Sequence, residues 1–288
     1  MGKLYSSIRL GWKVFADKFW SVKTATLFLL LGFVQHIFLS PIKEFSESVN
    51  YPVAPVAFPF LISDIYFLIL FMSAVIYFFS DVPFMKERTM YQVIRVGRVR
   101  WSVGQIISII LSSYIFVIVA ILENVLILLP DITVNEGWGK VLYTLSMTSA
   151  ASDYRIPFSV SYDIISKFEP LKAMVVTILM CGLVIAFIGL LMFALSLYIS
   201  RLCANVIAML LTILPIVSVN VGRSASWLMY CSPVSWMRIS ELNTGSEVGN
   251  LMPPISLCIG ILLIGCMVLS GAIVWKIKTV DFKLVKED

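Results

Sequence analysis

Six long apolar runs organise the chain: Val22 to Leu39, Phe58 to Phe79, Gln105 to Leu129, Ala173 to Ser200, Cys203 to Val219 and Ile255 to Trp275. Each is near or above the ~20 residues that a helix needs to cross the ~30 Å hydrocarbon core, and none shows the alternation of a membrane-barrel strand. They predict six transmembrane helices. Ahead of them Leu4, Ile8, Trp12, Phe15 and Phe19 recur at helical spacing, which at about 100° per residue confines them to one stripe. Arg9, Lys13 and Asp17 fall on the other side. That pattern predicts a basic amphipathic helix over 1–21 lying in the headgroup plane. It leads into a six-helix transmembrane domain over 22–279 and a cytoplasmic tail over 280–288.

Composition agrees with an all-α integral membrane protein. With 59% hydrophobic and 14% charged residues and a mean hydropathy of +0.94, the chain has too little polar surface to coat a soluble globule of its size. Charge then orients the helices. Lys3, Arg9, Lys13, Lys18, Lys23, Lys86, Arg88, Arg95, Arg98, Arg100, Arg201, Lys276, Lys278, Lys283 and Lys286 fall on one face if the six runs all cross. Lys43, Lys140, Arg155, Lys167, Lys172, Arg223 and Arg238 fall on the other, despite its longer loops. Fifteen basic residues against seven place the first face, and both termini, in the cytoplasm. The net charge of +5 is therefore topology signal rather than a nucleic-acid footprint.

The densest basic segment is 80–104, between the second and third runs. Ser80 or Asp81 can cap a short helix with Pro83 in its first turn, and Gly97 offers a place to stop. The bland reading of this segment is a solvated loop that only sets topology. On the outer side, 130–172 is too long for a structureless connection, so it folds over the mouth of the bundle or holds a short surface helix. The aromatic hairpin 222–252 carries Trp227, Tyr230 and Trp236, suited to the interfacial belt. Pro233 interrupts it, which favours a half-inserted, re-entrant pair over a surface loop.

Several chemistries lack their residues. No Walker A pattern is present, Gly139-Lys140 being the nearest fragment, so the chain has no P-loop of its own. His36 is the single histidine, G-x-S-x-G is missing, and the five cysteines form no C-x-x-C pair. Gly2 and Ser6 match a myristoylation pattern that short sequences meet by chance, and the first run lacks a small-residue cleavage site. Glu123, with Asn124 beside it, stands out because an ionisable group within a span is expensive and should face protein or a water-filled cavity. The functional reading is a pathway or gating residue; the structural reading is a hydrogen-bonding contact between helices or a position shallow enough to reach the outer interface. Asp64, Asn205, Asn220 and His36 read as helix contacts or interfacial groups.

The order of elements resembles the membrane subunit of type 2 ATP-binding-cassette exporters, whose loop after the second span carries a coupling helix with a pattern like F-x-[KR]-E-R-x-x-Y. Phe84, Lys86, Glu87, Arg88 and Tyr91 occupy those places. The resemblance implies that this cytoplasmic helix and the N-terminal helix rest on a separate nucleotide-binding ATPase subunit, where ATP and Mg bind. It implies that the outer hairpin shapes the gate, and that a second permease copy or paralogue completes the transporter in the bacterial plasma membrane. The expected function is ATP-driven export of an amphipathic or hydrophobic substrate (peptide, drug or lipid-like) by alternating access, without covalent chemistry in this chain. The competing class is a membrane-embedded immunity or scaffold protein that binds a peptide or partner without pumping it. A secondary transporter is weakened by the lack of paired Gly/Pro-broken spans and by the single deep carboxylate.

Overall fold

The structure, a computed structural model, describes residues 2–83, 96–132, 137–221, 230–242 and 253–279. Helix α1 spans Gly2–Phe19, α2 Val22–Val49, α3 Phe58–Ser63, α4 Ile65–Phe79 and α5 Arg98–Leu128. Three short helices follow, α6 Gly139–Met147, α7 Ala150–Asp153 and α8 Tyr162–Lys167, and then α9 Pro170–Tyr198 and α10 Arg201–Val221. A 3-10 turn over Pro233–Met237 precedes α11, Ile255–Lys276. Among the described residues there is no strand, only an isolated bridge between Val53 and Ile132. By length and composition α2, α5, α9 and α11 can each cross a membrane, and two shorter apolar helices, Ile65–Phe79 and Arg201–Val217, stand with them. This is an all-helical architecture of membrane type.

At ~1.5 Å per residue, α2, α5 and α9 run ~42–46 Å, well beyond a ~30 Å hydrocarbon core. The first run is predicted to stop at Leu39, yet α2 continues through Pro41 to Val49, capped by Asn50 in the left-handed region (φ 53°). Ser40 Oγ donates to the Ile37 carbonyl, the acceptor that proline cannot serve. Ile42, Phe45 and Ser46 of this extension are buried. They lie under the segment 130–172, which carries α6–α8 and folds over this end of the bundle. Tyr154 donates to Ser48 Oγ at 2.8 Å and packs edge-on to Phe45. Trp138 packs on Phe60 and donates to the Phe168 carbonyl.

Helix α9 is apolar all round because it is the centre of the bundle. Small residues let its neighbours close in: a Cβ on Gly189 would stand 2.8 Å from Ile109, and one on Gly182 would stand inside the Tyr114 ring contact. A tighter approach joins α1 to α5. A Cβ on Gly11 would meet the Gly104 carbonyl oxygen at 2.8 Å, and backbone cannot move aside as a side-chain tip can.

Helix α1 forms as expected but does not use its stripe as expected. Ser7, Leu10 and Gly11 lie on the face against α5, and Phe15 is also buried, whereas Ile8 and Trp12 of the stripe are exposed. Arg9, Lys13 and Asp17 are exposed on a third side. The helix therefore has a protein face, an unpartnered apolar edge and a charged side, because the small residues at 7 and 11 allow the closest backbone approach.

Candidate functional site

The polar seam between α2 and α5 contains Glu123. Gln35, fully buried, projects from α2 and uses its side-chain amide twice, donating to the Ala120 carbonyl at 3.1 Å and to Glu123 Oε2 at 3.2 Å. Gly32, one turn earlier on α2, leaves a notch beside the carboxyl, since a Cβ there would sit 3.8 Å from Glu123 Cδ. Asn124, one turn beyond Ala120, is 1% exposed. Neither its side-chain atoms nor Gln35 Oε1 has a hydrogen-bond partner among the described residues. Glu123 itself is half-buried. It lies five residues before the end of α5, ~7.5 Å along the axis. The contact between helices is thus present, and the carboxyl also reaches the outer edge of the seam.

Further down α5, Gln105, Ser108 and Ser112 recur at three- and four-residue steps and are fully or almost fully buried. The Gln105 amide and both hydroxyls have no partner among the described residues. Between this row and Glu123 sits Phe116, ringed by Phe28, Phe71 and Phe78 at centroid distances of 5.1 to 5.5 Å. Helix α5 thus carries two polar stations separated by an aromatic cluster.

The residues matching the exporter pattern, Phe84, Lys86, Glu87, Arg88 and Tyr91, lie outside the described residues, but both ends of their segment are visible. Ser80 and Asp81 form its near end: Lys23 donates to Ser80 Oγ at 2.9 Å and pairs with Asp81 at 2.6 Å. Ser80 Oγ also donates to the Tyr77 carbonyl at 2.8 Å, and the expected cap of a following helix falls outside the described residues. Lys18 of α1 donates to the Phe78 carbonyl and lies over the Phe78 ring. Burial there holds its ammonium well below the usual lysine range, with Asp81 opposing and Lys23 reinforcing the shift. At the far end, Gly97 adopts φ 92° and turns the chain into α5, seven residues before the close contact of Gly104 with Ser7 and Leu10. Arg98 reaches the Lys278 carbonyl after α11.

Of the aromatic hairpin, residues 230–242 are described. Tyr230 is exposed, Trp236 is buried in the 3-10 turn, and Trp227 lies outside the described residues. Arg238, at the end of that turn, donates through Nε to the Ser63 carbonyl at 2.7 Å and pairs with Glu241 at 3.0 Å. Ser63 is where the second apolar run breaks. Asp64 accepts from the Tyr66 and Phe67 amides and caps α4, so the Ser63 carbonyl loses its helical donor and takes the guanidinium instead.

Sequence reasoning passed over Gln35 and Arg238. Gln35 had a signal in Gly32-x-x-Gln35-His36, a polar interruption at helical spacing inside an apolar run; Arg238 had none, because its acceptor is a backbone carbonyl 175 residues away. Among the described residues no group of three or more His, Cys, Asp or Glu converges on a metal-sized site. Comparison with protein-family models, curated proteins and solved structures finds no match.

Proposed function

We propose that the chain is the permease subunit of an ATP-driven exporter, crossing the plasma membrane six times with both termini in the cytoplasm and working as a dimer beside a separate nucleotide-binding ATPase. One observation carries the reading: both ends of the segment holding Phe84 to Tyr91 are joined to α1 and to the starts or ends of membrane helices. Its near end meets α2 through Lys23 and follows the end of α4, which Lys18 of α1 holds at Phe78, and its far end leads into α5, which packs on Gly11 of α1 at Gly104. A push on such a segment moves α1, α2, α4 and α5 together, the mechanical property a coupling element needs. Phe84 and Tyr91 would supply aromatic anchors for the ATPase socket, with Lys86, Glu87 and Arg88 as the surrounding charges. ATP and Mg belong to that subunit.

Retention of the near-end bonds on the ATPase cycle would make α1 a lever, and the seam at Glu123 and the hairpin around Trp236 would be the moving parts. The experiment is affinity purification of the tagged chain from its native membrane, with Phe84→Ala and Glu87→Arg alongside. A stoichiometric nucleotide-binding subunit retained by the wild type is expected, with about fivefold or greater loss in Phe84→Ala, since truncating a buried interface anchor commonly costs more than ~1 kcal/mol. Purification of the chain without any ATPase, or equal retention in both variants, rejects the proposal and leaves a peptide-binding immunity or scaffold protein in its place.

A further inference from the structure

We propose that the end of α11 that carries Trp275, Lys276 and Lys278 is a docking site for an anionic phospholipid, an inference that goes beyond the permease reading and does not depend on it. Ile264, Val268, Gly271 and Trp275 recur at steps of four, three and four, so they share one face of the helix. Ile277 keeps helical backbone angles (φ −60°, ψ −20°), so Lys278 follows Trp275 on that same face. All five residues are exposed, whereas Cys258, Leu262 and Ile273 hold α11 to the bundle. Gly271 gives the face a seat: a Cβ there would meet nothing within 4 Å, and the gap lies between the Val268 and Trp275 side chains. An acyl chain can lie across it, with the Trp275 indole at headgroup level, where amphipathic rings settle.

The headgroup end of this face is cationic. Lys276 and Lys278 form no ion pair among the described residues. Lys276 instead holds its Nζ 5.1 Å from the centre of the Tyr198 ring, whose hydroxyl donates to the Ala272 carbonyl at 3.4 Å. Arg98 Nη1 stands 3.5 Å from the Lys278 carbonyl, which brings a third cation, from α5, to the same end. Lysine and arginine both donate to phosphate oxygens, and cations bordering an exposed apolar face complement an anion tethered to an acyl chain. A second copy of the chain is the competing occupant. Copies in one membrane share an orientation, so docking through this face would set Lys276, Lys278 and Arg98 opposite their own like charges at the same depth. An anionic lipid neutralises what a second copy would repel.

The test uses the full-length protein in dodecyl maltoside micelles and measures equilibrium binding of phosphatidylglycerol against phosphatidylcholine, both carrying the same fluorescent acyl chain. Saturable phosphatidylglycerol binding, about tenfold or more tighter than phosphatidylcholine, is expected. Replacing Lys276→Gln and Lys278→Gln together should weaken it about 25-fold, roughly fivefold for each cation lost beside the headgroup. Gly271→Leu keeps every charge and fills the seat from its open side, where no neighbour is displaced, and should also weaken binding by about tenfold. Equal affinity for the two lipids in the wild type overturns the site without recourse to any variant, as does unchanged phosphatidylglycerol binding in either folded variant. Light scattering on the same samples tests the competing occupant: a dimer that Gly271→Leu converts to monomer, with lipid selectivity intact, assigns the face to a second copy and overturns the proposal. The result is independent of the ATPase partner, so a phosphatidylglycerol site in a chain that purifies without one rejects the permease reading alone.

Discussion

Gln35 and Glu123 hold each other in place, and the consequence can be measured. Replacing Gln35 by leucine leaves the carboxyl and the Ala120 carbonyl without the shared donor, whereas replacing both residues removes the demand together with the supply. Gln35→Leu is expected to lower stability by about 1–2 kcal/mol, within the range found for polar contacts between membrane helices. Adding Glu123→Leu to it should recover part of that loss. Reversible unfolding in mixed micelles measures the cycle, and additive losses in the double variant would show that the two side chains are not coupled. Glu123 was legible from sequence as a polar group in an apolar run. Its partner was not singled out, because pairing across two helices depends on their rotation, which a one-dimensional pattern leaves open.

The element that behaves least like its sequence is the second apolar run. Its 22 residues from Phe58 to Phe79 read as one continuous helix, and the structure divides them at Ser63–Asp64. Asp64 can act as an N-cap anywhere its backbone is extended; it does so here because Arg238 accepts responsibility for the carbonyl that the break releases. Arg238→Leu is therefore expected to cost about 1–3 kcal/mol, the penalty for a buried acceptor stripped of its donor. Amide exchange in 230–242 should accelerate with it while exchange in α9 stays protected. Exchange unchanged in the hairpin would mean that burial of Trp236 and Met237 alone holds it down. Helix α1 teaches the same lesson: of its aromatic stripe Ile8 and Trp12 are exposed but Phe15 is buried, and its docking face is set by Ser7, Leu10 and Gly11, residues whose value is the space they leave.

At the scale of the molecule, the starts of α2 and α5 meet the ends of α4 and α11 respectively, and the end of α9 meets the end of α11. Lys18, Lys23, Arg98 and Lys276 gather at one end, and Lys43, bonded to the Leu129 carbonyl, and Lys140, over the Tyr51 ring, lie at the other. With the basic asymmetry, this predicts that cysteines placed at Ser6 and Lys286 in a background without native cysteines label from the cytoplasmic side, and one at Lys140 from the outside only. Outside labelling of Ser6 would overturn the orientation.

The sequence by itself determined the helical class, the positions of the apolar segments, the amphipathic start and the presence of an ordered layer in 130–172. These follow from local quantities: the length of an apolar run, the period of its side chains and the chemistry of turn residues. Only the tertiary structure decided that α2 rises past the apolar run to carry that layer, that Asp64 divides a helix, that Trp236 is buried, and that Gln35 meets Glu123. Each of these depends on a group far away in the chain satisfying a backbone or side-chain hydrogen bond, or on a neighbouring surface covering an apolar one, and in a low-dielectric bundle an unsatisfied polar group costs enough to override the local preference.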